Sequence, residues 1–247
     1  MKNKDFHDIN QLPKEEGILF WGISMSRIGN RQSAEHCFED LKSIDTKIQG
    51  TEGIGMVTWY SDYLYFNSNE SAKILRDRYK DLMIQHKHGF LNILLKDNVW
   101  IKKAFSFLTT GQVILDNSQE FSSTLAKILD LYKQDEKFQK CVAFDVKKDS
   151  HGLGENEIMF ILEEITLIYL AAKGKLNFNN RFVLGTEKWV LQVYPGKPLK
   201  SEVYLFQANP LKFSNSKNKF ENAFYDVEGH KLYEYLDINL DTFNFSE

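Results

Sequence analysis

Three groups of residues in this 247-residue chain have types and spacing suited to chemistry. The first is Ser24, which closes the apolar run Ile18-Leu19-Phe20-Trp21-Gly22-Ile23-Ser24. In open α/β sheets, ligands bind beyond the carboxyl ends of the strands. Gly22, two residues before the serine, would let a substrate approach the backbone. Serine is also common where a strand becomes a loop, so taken alone Ser24 is a nucleophile or a strand end. The stretch is not the Gly-x-Ser-x-Gly elbow, because Ser26 replaces the second glycine. The six histidines, His7, His36, His86, His88, His151 and His230, have no evident triad context.

The second group is the carboxylate pair Glu163-Glu164 inside IMFILEEITLIYLAA. That segment is apolar almost all round, which predicts a buried helix. A buried, unpaired carboxylate is costly and marks pairing or function. Neighbouring helical residues point about 100° apart, so one glutamate can reach a rim while the other faces a pocket. Phe160 shares a face with Glu164. A structural ion pair explains either glutamate equally well. The third group is a basic stripe. At about 100° per residue, Lys73, Arg76, Lys80 and Lys87 fall within an arc of roughly 60° on one helix. Such a stripe is ordinarily a solvated face, and on a mildly acidic protein it also suits a phosphate backbone.

The elements that must hold these groups follow from periodicity. Residues 1–16 are polar and read as a loose arm. Residues 17–24 form a continuous apolar strand of the kind buried on both faces of a parallel sheet. A helix is expected from Gln32 to about Ile44, and a second buried strand at 53–60. Asn67-Ser68-Asn69-Glu70 carries capping residues for a helix over 70–88. FLNILLK (90–96) reads as a third strand, and 99–108 fits strand or helix. Residues 122–148 are helical in composition with one break, and 155–172 form the apolar helix. KWVLQVY (188–194) is a strand, ended by Pro195, and Pro198 can open a helix through Phe206. Residues 207–247 are polar and read as a segment appended to the domain of 17–206. Alternating strands and helices predict an α/β fold with a mostly parallel sheet.

Composition narrows the function. Lys and Arg number 31 against 34 Asp and Glu, a formal charge of -3, so this is no generic nucleic-acid binder. The two cysteines, Cys37 and Cys141, lie far apart in no metal-ligand spacing, which fits a reducing compartment. No apolar leader follows the charged N-terminus. The longest apolar run falls short of the roughly 20 residues of a membrane span. A cytoplasmic protein is expected. The sequence has no Walker loop, no G-x-G-x-x-G and no His-Glu-x-x-His, so neither metal nor cofactor is expected.

In order and spacing, these segments resemble the tRNA-dependent cyclodipeptide synthases. The resemblance rests on Gly22-Ile23-Ser24 at the end of the first strand, on Phe160 and Glu164 four residues apart, and on Trp189-Val190-Leu191-Gln192-Val193-Tyr194-Pro195, which is similar to the Tyr-Pro subfamily. It covers about residues 17–206. There are departures. Phe160 stands where the family usually has tyrosine, Arg27 stands where the commoner subfamily has asparagine, and the basic stripe is sparser.

The resemblance implies a Rossmann-like sheet similar to the catalytic domain of class I aminoacyl-tRNA synthetases, and an enzyme that joins two aminoacyl groups into a cyclic dipeptide. Ser24 would take the first aminoacyl group from tRNA, passing through an aminoacyl-serine and a dipeptidyl-serine. Glu164 would hold the substrate amine, and Tyr194 would relay a proton in cyclisation. Gly22 would leave room beside the acyl group, with Phe160 and Pro195 flanking it. Phe20, Val57 and Leu191 would line the side-chain pocket, although core packing explains them equally well. Lys73, Arg76, Lys80 and Lys87 would meet tRNA phosphates. The substrate ester is already activated, so ATP is not called for. A monomer is favoured. Two other readings remain: a serine acyltransferase or hydrolase acting on a small ester, and a non-catalytic tRNA-binding relative.

Overall fold

The structure, a computed structural model, describes residues 17–25, 27–48, 54–61, 72–149, 154–176, 189–209, 211 and 220–245. The N-terminal arm and the proposed cap at 67–70 lie outside the described residues. In chain order the elements are β1 (Gly17–Ser24), α1 (Ala34–Ile48), β2 (Ile54–Ser61), α2 (Ala72–Leu94), β3 (Ala104–Thr109), α3 (Thr110–Asp116), α4 (Ser118–Gln134), α5 (Glu136–Asp149), α6 (Glu155–Ala172), β4 (Trp189–Tyr194), α7 (Lys200–Ala208), β5 (Ala223–Asp226) and β6 (Lys231–Glu234).

The described strands form one six-stranded sheet in the order β3-β2-β1-β4-β5-β6. All neighbours are parallel except β5 and β6. The chain lays down β1, β2 and β3 in one direction, then returns to place β4 and β5 on the other side of β1. The strand order therefore reverses between β1 and β4. In an α/β sheet that switch point opens a crevice at the carboxyl ends of the strands.

Strand alternation sorts the side chains onto two faces. Leu19, Trp21 and Ile23 pack with Cys37 and Leu41 of α1 and with Phe90 and Leu94 of α2. Ile18 and Phe20 point the other way, onto Val113 of α3, Phe121 of α4, and Leu167, Leu170 and Ala171 of α6. A third apolar cluster joins α4, α5, α6 and α7 behind this layer. With both faces covered, β1 needs apolar residues at every position, which accounts for its unbroken hydrophobic run.

One expected strand is a helix. FLNILLK does not pair in the sheet: α2 continues through it to Leu94. Tyr79, Leu82, Met83, Phe90, Ile93 and Leu94 all pack on the same core cluster, and their spacing is helical rather than alternating. The third strand lies instead at Ala104–Thr109, overlapping the segment 99–108 that fits strand or helix. The break in the long helical stretch falls at Asp135, whose carboxylate accepts from the Lys137 and Phe138 amides as α5 begins. The segment after 207 supplies β5 and β6, so the sheet extends into it. No helix among the described residues is long and apolar enough to cross a membrane.

Candidate active site

Ser24 ends β1 on the carboxyl edge of the sheet. It has the parity of Phe20 and Gly22, so it belongs to the face covered by α6. Its backbone is fixed by a side chain eight residues away. Gln32, fully buried, accepts from the Ser24 amide through Oε1 at 2.8 Å and donates from Nε2 to the Gly22 carbonyl at 2.9 Å. The turn that brings Gln32 back is closed by amide-to-carbonyl bonds from Arg27 to Ser24, from Asn30 to Arg27 and from Gln32 to Arg27.

Gly22 sits opposite Trp59 in the register. A Cβ on Gly22 would come within 3.2 Å of the Trp59 indole. The space over Gly22 is thus occupied by that ring rather than open, and Trp59 in turn stacks on Phe20 at 5.5 Å. Phe20 and Val57 lie on the Ser24 face. Leu191 does not join them. It packs with Leu19 and Trp21 on the opposite face of the sheet, because it is one residue out of phase with Val190 and Gln192.

Tyr194 ends β4. The β1–β4 pairing runs as far as Trp21↔Val193, which sets Tyr194 beside Gly22 and on the same face as Ser24. Its carbonyl accepts from the Val227 amide at 3.2 Å. Pro195 then turns the chain. Gly196 adopts φ 100, a conformation in which a side chain would be strained, and its amide donates to Asp226 Oδ1 at 2.9 Å. The Arg27 guanidinium lies 5.6 Å from the centre of the Tyr194 ring. The loop that follows Ser24 therefore reaches Tyr194 through Arg27.

In α6, Leu167, Leu170 and Ala171 pack with Ile18 and Phe20 of β1 and Val190 of β4. Glu163 and Glu164 lie one turn before Leu167, which faces β1. Both are half-buried, and desolvation raises the Glu163 carboxyl above its ordinary value. Phe160 and Tyr194 pack against the same apolar cluster.

Beside this crevice runs a buried polar chain that sequence reading missed. Gln192, on the Ser24 face, accepts from the Tyr235 hydroxyl through Oε1 at 3.1 Å. The same hydroxyl is bonded to Glu202, a buried carboxyl that burial pushes up to about 7. Nothing in the polar character of 207–247 marks Tyr235 as a core residue. Arg27 and Gln32 were equally hidden, since loop residues carry no periodicity.

Of the basic stripe, Lys80 and Lys87 are exposed on α2, and the Lys87 ammonium lies 5.7 Å from the Phe107 ring centre. The Lys73 and Arg76 side chains lie outside the described residues. Both cysteines are buried, and desolvation raises both thiols, Cys141 to about 11. Raised thiols of this kind offer little thiolate at neutral pH. Among the described residues, no group of three or more His, Cys, Asp or Glu is placed to hold a metal ion.

The sheet order and crossovers define an α/β fold of Rossmann type, with its crevice at the β1/β4 switch. No family model matches the sequence, and no curated protein matches it. Solved structures do share the fold. A cyclodipeptide synthase from Fluoribacter dumoffii is similar with a TM-score of 0.55 at 11% identity, over 85% of this chain and 90% of that one. One from Bacillus thermoamylovorans is similar at 0.53 and 15% identity, over 83% and 86%. A Mycobacterium tuberculosis protein is similar at 0.52 and 13% identity, over 85% and 84%; its structure is described as demonstrating that cyclodipeptide synthetases are related to type I tRNA synthetases.

Proposed function

We propose that this chain is a cyclodipeptide synthase that uses two aminoacyl-tRNAs. What supports the reading is a fold shared with such enzymes, in which Ser24 and Tyr194 end the adjacent parallel strands β1 and β4. Ser24 Oγ attacks the ester carbon of the first aminoacyl-tRNA. The bond to the ribose oxygen breaks, that oxygen takes the serine proton, and an aminoacyl-serine remains.

For the growing product to stay on Ser24, the amine of the seryl-bound residue must attack the second aminoacyl-tRNA ester. A peptide bond forms, the second tRNA leaves with a proton on its ribose oxygen, and Ser24 carries a dipeptide. The free amine of the dipeptide then attacks the seryl ester. The ring closes, and Ser24 Oγ departs with a proton relayed by Tyr194. Glu164 holds the substrate amine by a charge-assisted bond, with Phe160 and Pro195 flanking the acyl group. The exposed Lys80 and Lys87 contribute to a phosphate-binding face on α2, which Lys73 and Arg76 extend. The subfamily defined by the Tyr194-Pro195 pair is part of this proposal, as are a cytoplasmic location and a monomeric state.

Expression in a bacterium with mass spectrometry of the medium tests the reading. New cyclic dipeptides, lost on Ser24→Ala, are expected. Absence of any new cyclic dipeptide from the intact chain would refute it.

A further inference from the structure

We infer that Gln32 is a positioning residue for the Ser24 nucleophile, its buried amide holding the Gly22–Ser24 backbone where β4 no longer pairs with β1. This inference rests on the aminoacyl-serine reading above. The pairing of β1 with β4 ends at Trp21↔Val193, whereas the pairing with β2 continues to Ser24↔Ser61. Gly22 and Ser24 share parity, so the Gly22 carbonyl and the Ser24 amide point to the same side of the strand. Gln32 supplies one donor to the first and one acceptor to the second, at 2.9 Å and 2.8 Å. That is the service a neighbouring strand's backbone would give. The primary amide is the side chain suited to it, because it carries both functions on one planar group.

The clamp is anchored in the loop that follows β1. The Gln32 backbone N–H donates to the Arg27 carbonyl at 2.9 Å, and Arg27 is the residue whose guanidinium lies over the Tyr194 ring. Holding Gln32 therefore also fixes the loop that meets Tyr194. Just beyond Gln32, Cys37 of α1 lies with its Sγ 3.9 Å from Nε2 of His86 on α2, and the buried His86 ring is bonded through Nδ1 to the Tyr60 hydroxyl at 3.0 Å. The Ser24 amide is engaged by Gln32, so its role in this site is to set the serine's position.

Displacing a nucleophile by a fraction of an ångström lowers rate without lowering affinity. Gln32→Leu keeps bulk and removes both bonds. It is expected to slow single-turnover transfer of a labelled aminoacyl group from tRNA to the protein by about 10- to 100-fold, with the KM for aminoacyl-tRNA unchanged. Gln32→Glu supplies a second, independent measurement. As a neutral acid it accepts from Ser24 and donates to Gly22 as the amide does; once ionised it has no donor and sets a charge against the Gly22 carbonyl. Its rate relative to the unmodified protein is expected to fall by about tenfold or more as pH rises through the acid's titration, at temperatures where circular dichroism shows both chains folded.

A merely structural role would lower melting temperature but leave that relative pH profile flat. If folded Gln32→Leu is acylated at the unmodified rate, or Gln32→Glu tracks the unmodified protein at every pH, the inference is wrong. If the unmodified protein itself takes up no aminoacyl group, the functional reading fails, and this inference falls with it.

Discussion

Glu202 makes stability depend on pH in a way that one substitution isolates. Its side chain is buried in α7, bonded to the Tyr235 hydroxyl, and accepts from the Leu199 amide at 3.3 Å. Burial is the main cause that moves its carboxyl from an ordinary 4.5 up to about 7, and the hydrogen bonds from Tyr235 and Leu199 only partly oppose it. Below pH 4.5 the proton is bound in both folded and unfolded chains, so Glu202 does not distinguish them. Between 4.5 and 7 the unfolded chain ionises while the folded carboxyl keeps its proton, so stability falls as pH rises. Above 7 the loss is complete. At about 1.4 kcal/mol for each pH unit, the full loss is about 3 kcal/mol.

Glutamine mimics the neutral acid at this position. Its carbonyl can accept from Leu199, and its amide can donate to the Tyr235 oxygen. Glu202→Gln should therefore match the parent near pH 4.5 and exceed it by about 3 kcal/mol near pH 8. Urea unfolding of both chains at half-unit pH steps reads this difference directly, and groups shared by the two chains cancel. Curves that run parallel from pH 4.5 to 8 would refute the account of Glu202.

Other consequences can be tested alongside. Asp145, buried on α5, caps α7 by accepting from the Lys200 and Ser201 amides at 2.9 Å and 2.8 Å; Asp145→Asn leaves one of those amides facing a donor and should cost about 1–3 kcal/mol in urea unfolding. Tyr194→Phe should leave the aminoacyl-serine intact but cut cyclic product by about 100-fold or more, because the proton relay is lost, and equal product yield would remove that role. Arg27→Leu removes the cation over the Tyr194 ring and should lower the cyclisation rate by about two- to fivefold, measured in single turnovers from preformed dipeptidyl-enzyme. Glu164→Gln should raise the KM for aminoacyl-tRNA and lower product, since a neutral amide holds an ammonium more weakly than a carboxylate does; unchanged kinetics would free Glu164 of that task.

Much of the frame was legible because periodicity records burial. The unbroken run at 17–24 could only be a strand covered on both sides, and its neighbours bear that out. The apolar helix at 155–172 was equally plain, glutamates included. FLNILLK misled because a short apolar run reads alike in a buried strand and a buried helix, and only the partners of Tyr79, Leu82 and Met83 decide between them. Leu191 misled for a smaller reason: one residue of phase places it under the sheet with Trp21 instead of beside Phe20. The sequence marked Ser24 and Tyr194 at strand ends and Glu164 as a charge inside an apolar helix. It could not mark Gln32, Arg27 or Tyr235, whose importance comes from the register of β1 on β4 and from turns that no period encodes. Gly22 shows the same limit. Its bare Cα reads from sequence as room for a substrate, whereas the neighbour it meets, Trp59, comes from pairing with β2.

The claim at the centre of this account is that Ser24 carries an aminoacyl group taken from tRNA and passes it into a cyclic dipeptide. Purified protein mixed with charged tRNAs, quenched in acid and digested, tests this by mass spectrometry of the peptide containing Ser24 alongside the released small molecules. The account predicts an aminoacyl adduct on Ser24, a cyclic dipeptide in solution, and neither with Ser24→Ala. A cyclic dipeptide still formed by Ser24→Ala, or no adduct and no product from the unmodified chain with any set of charged tRNAs, would contradict it.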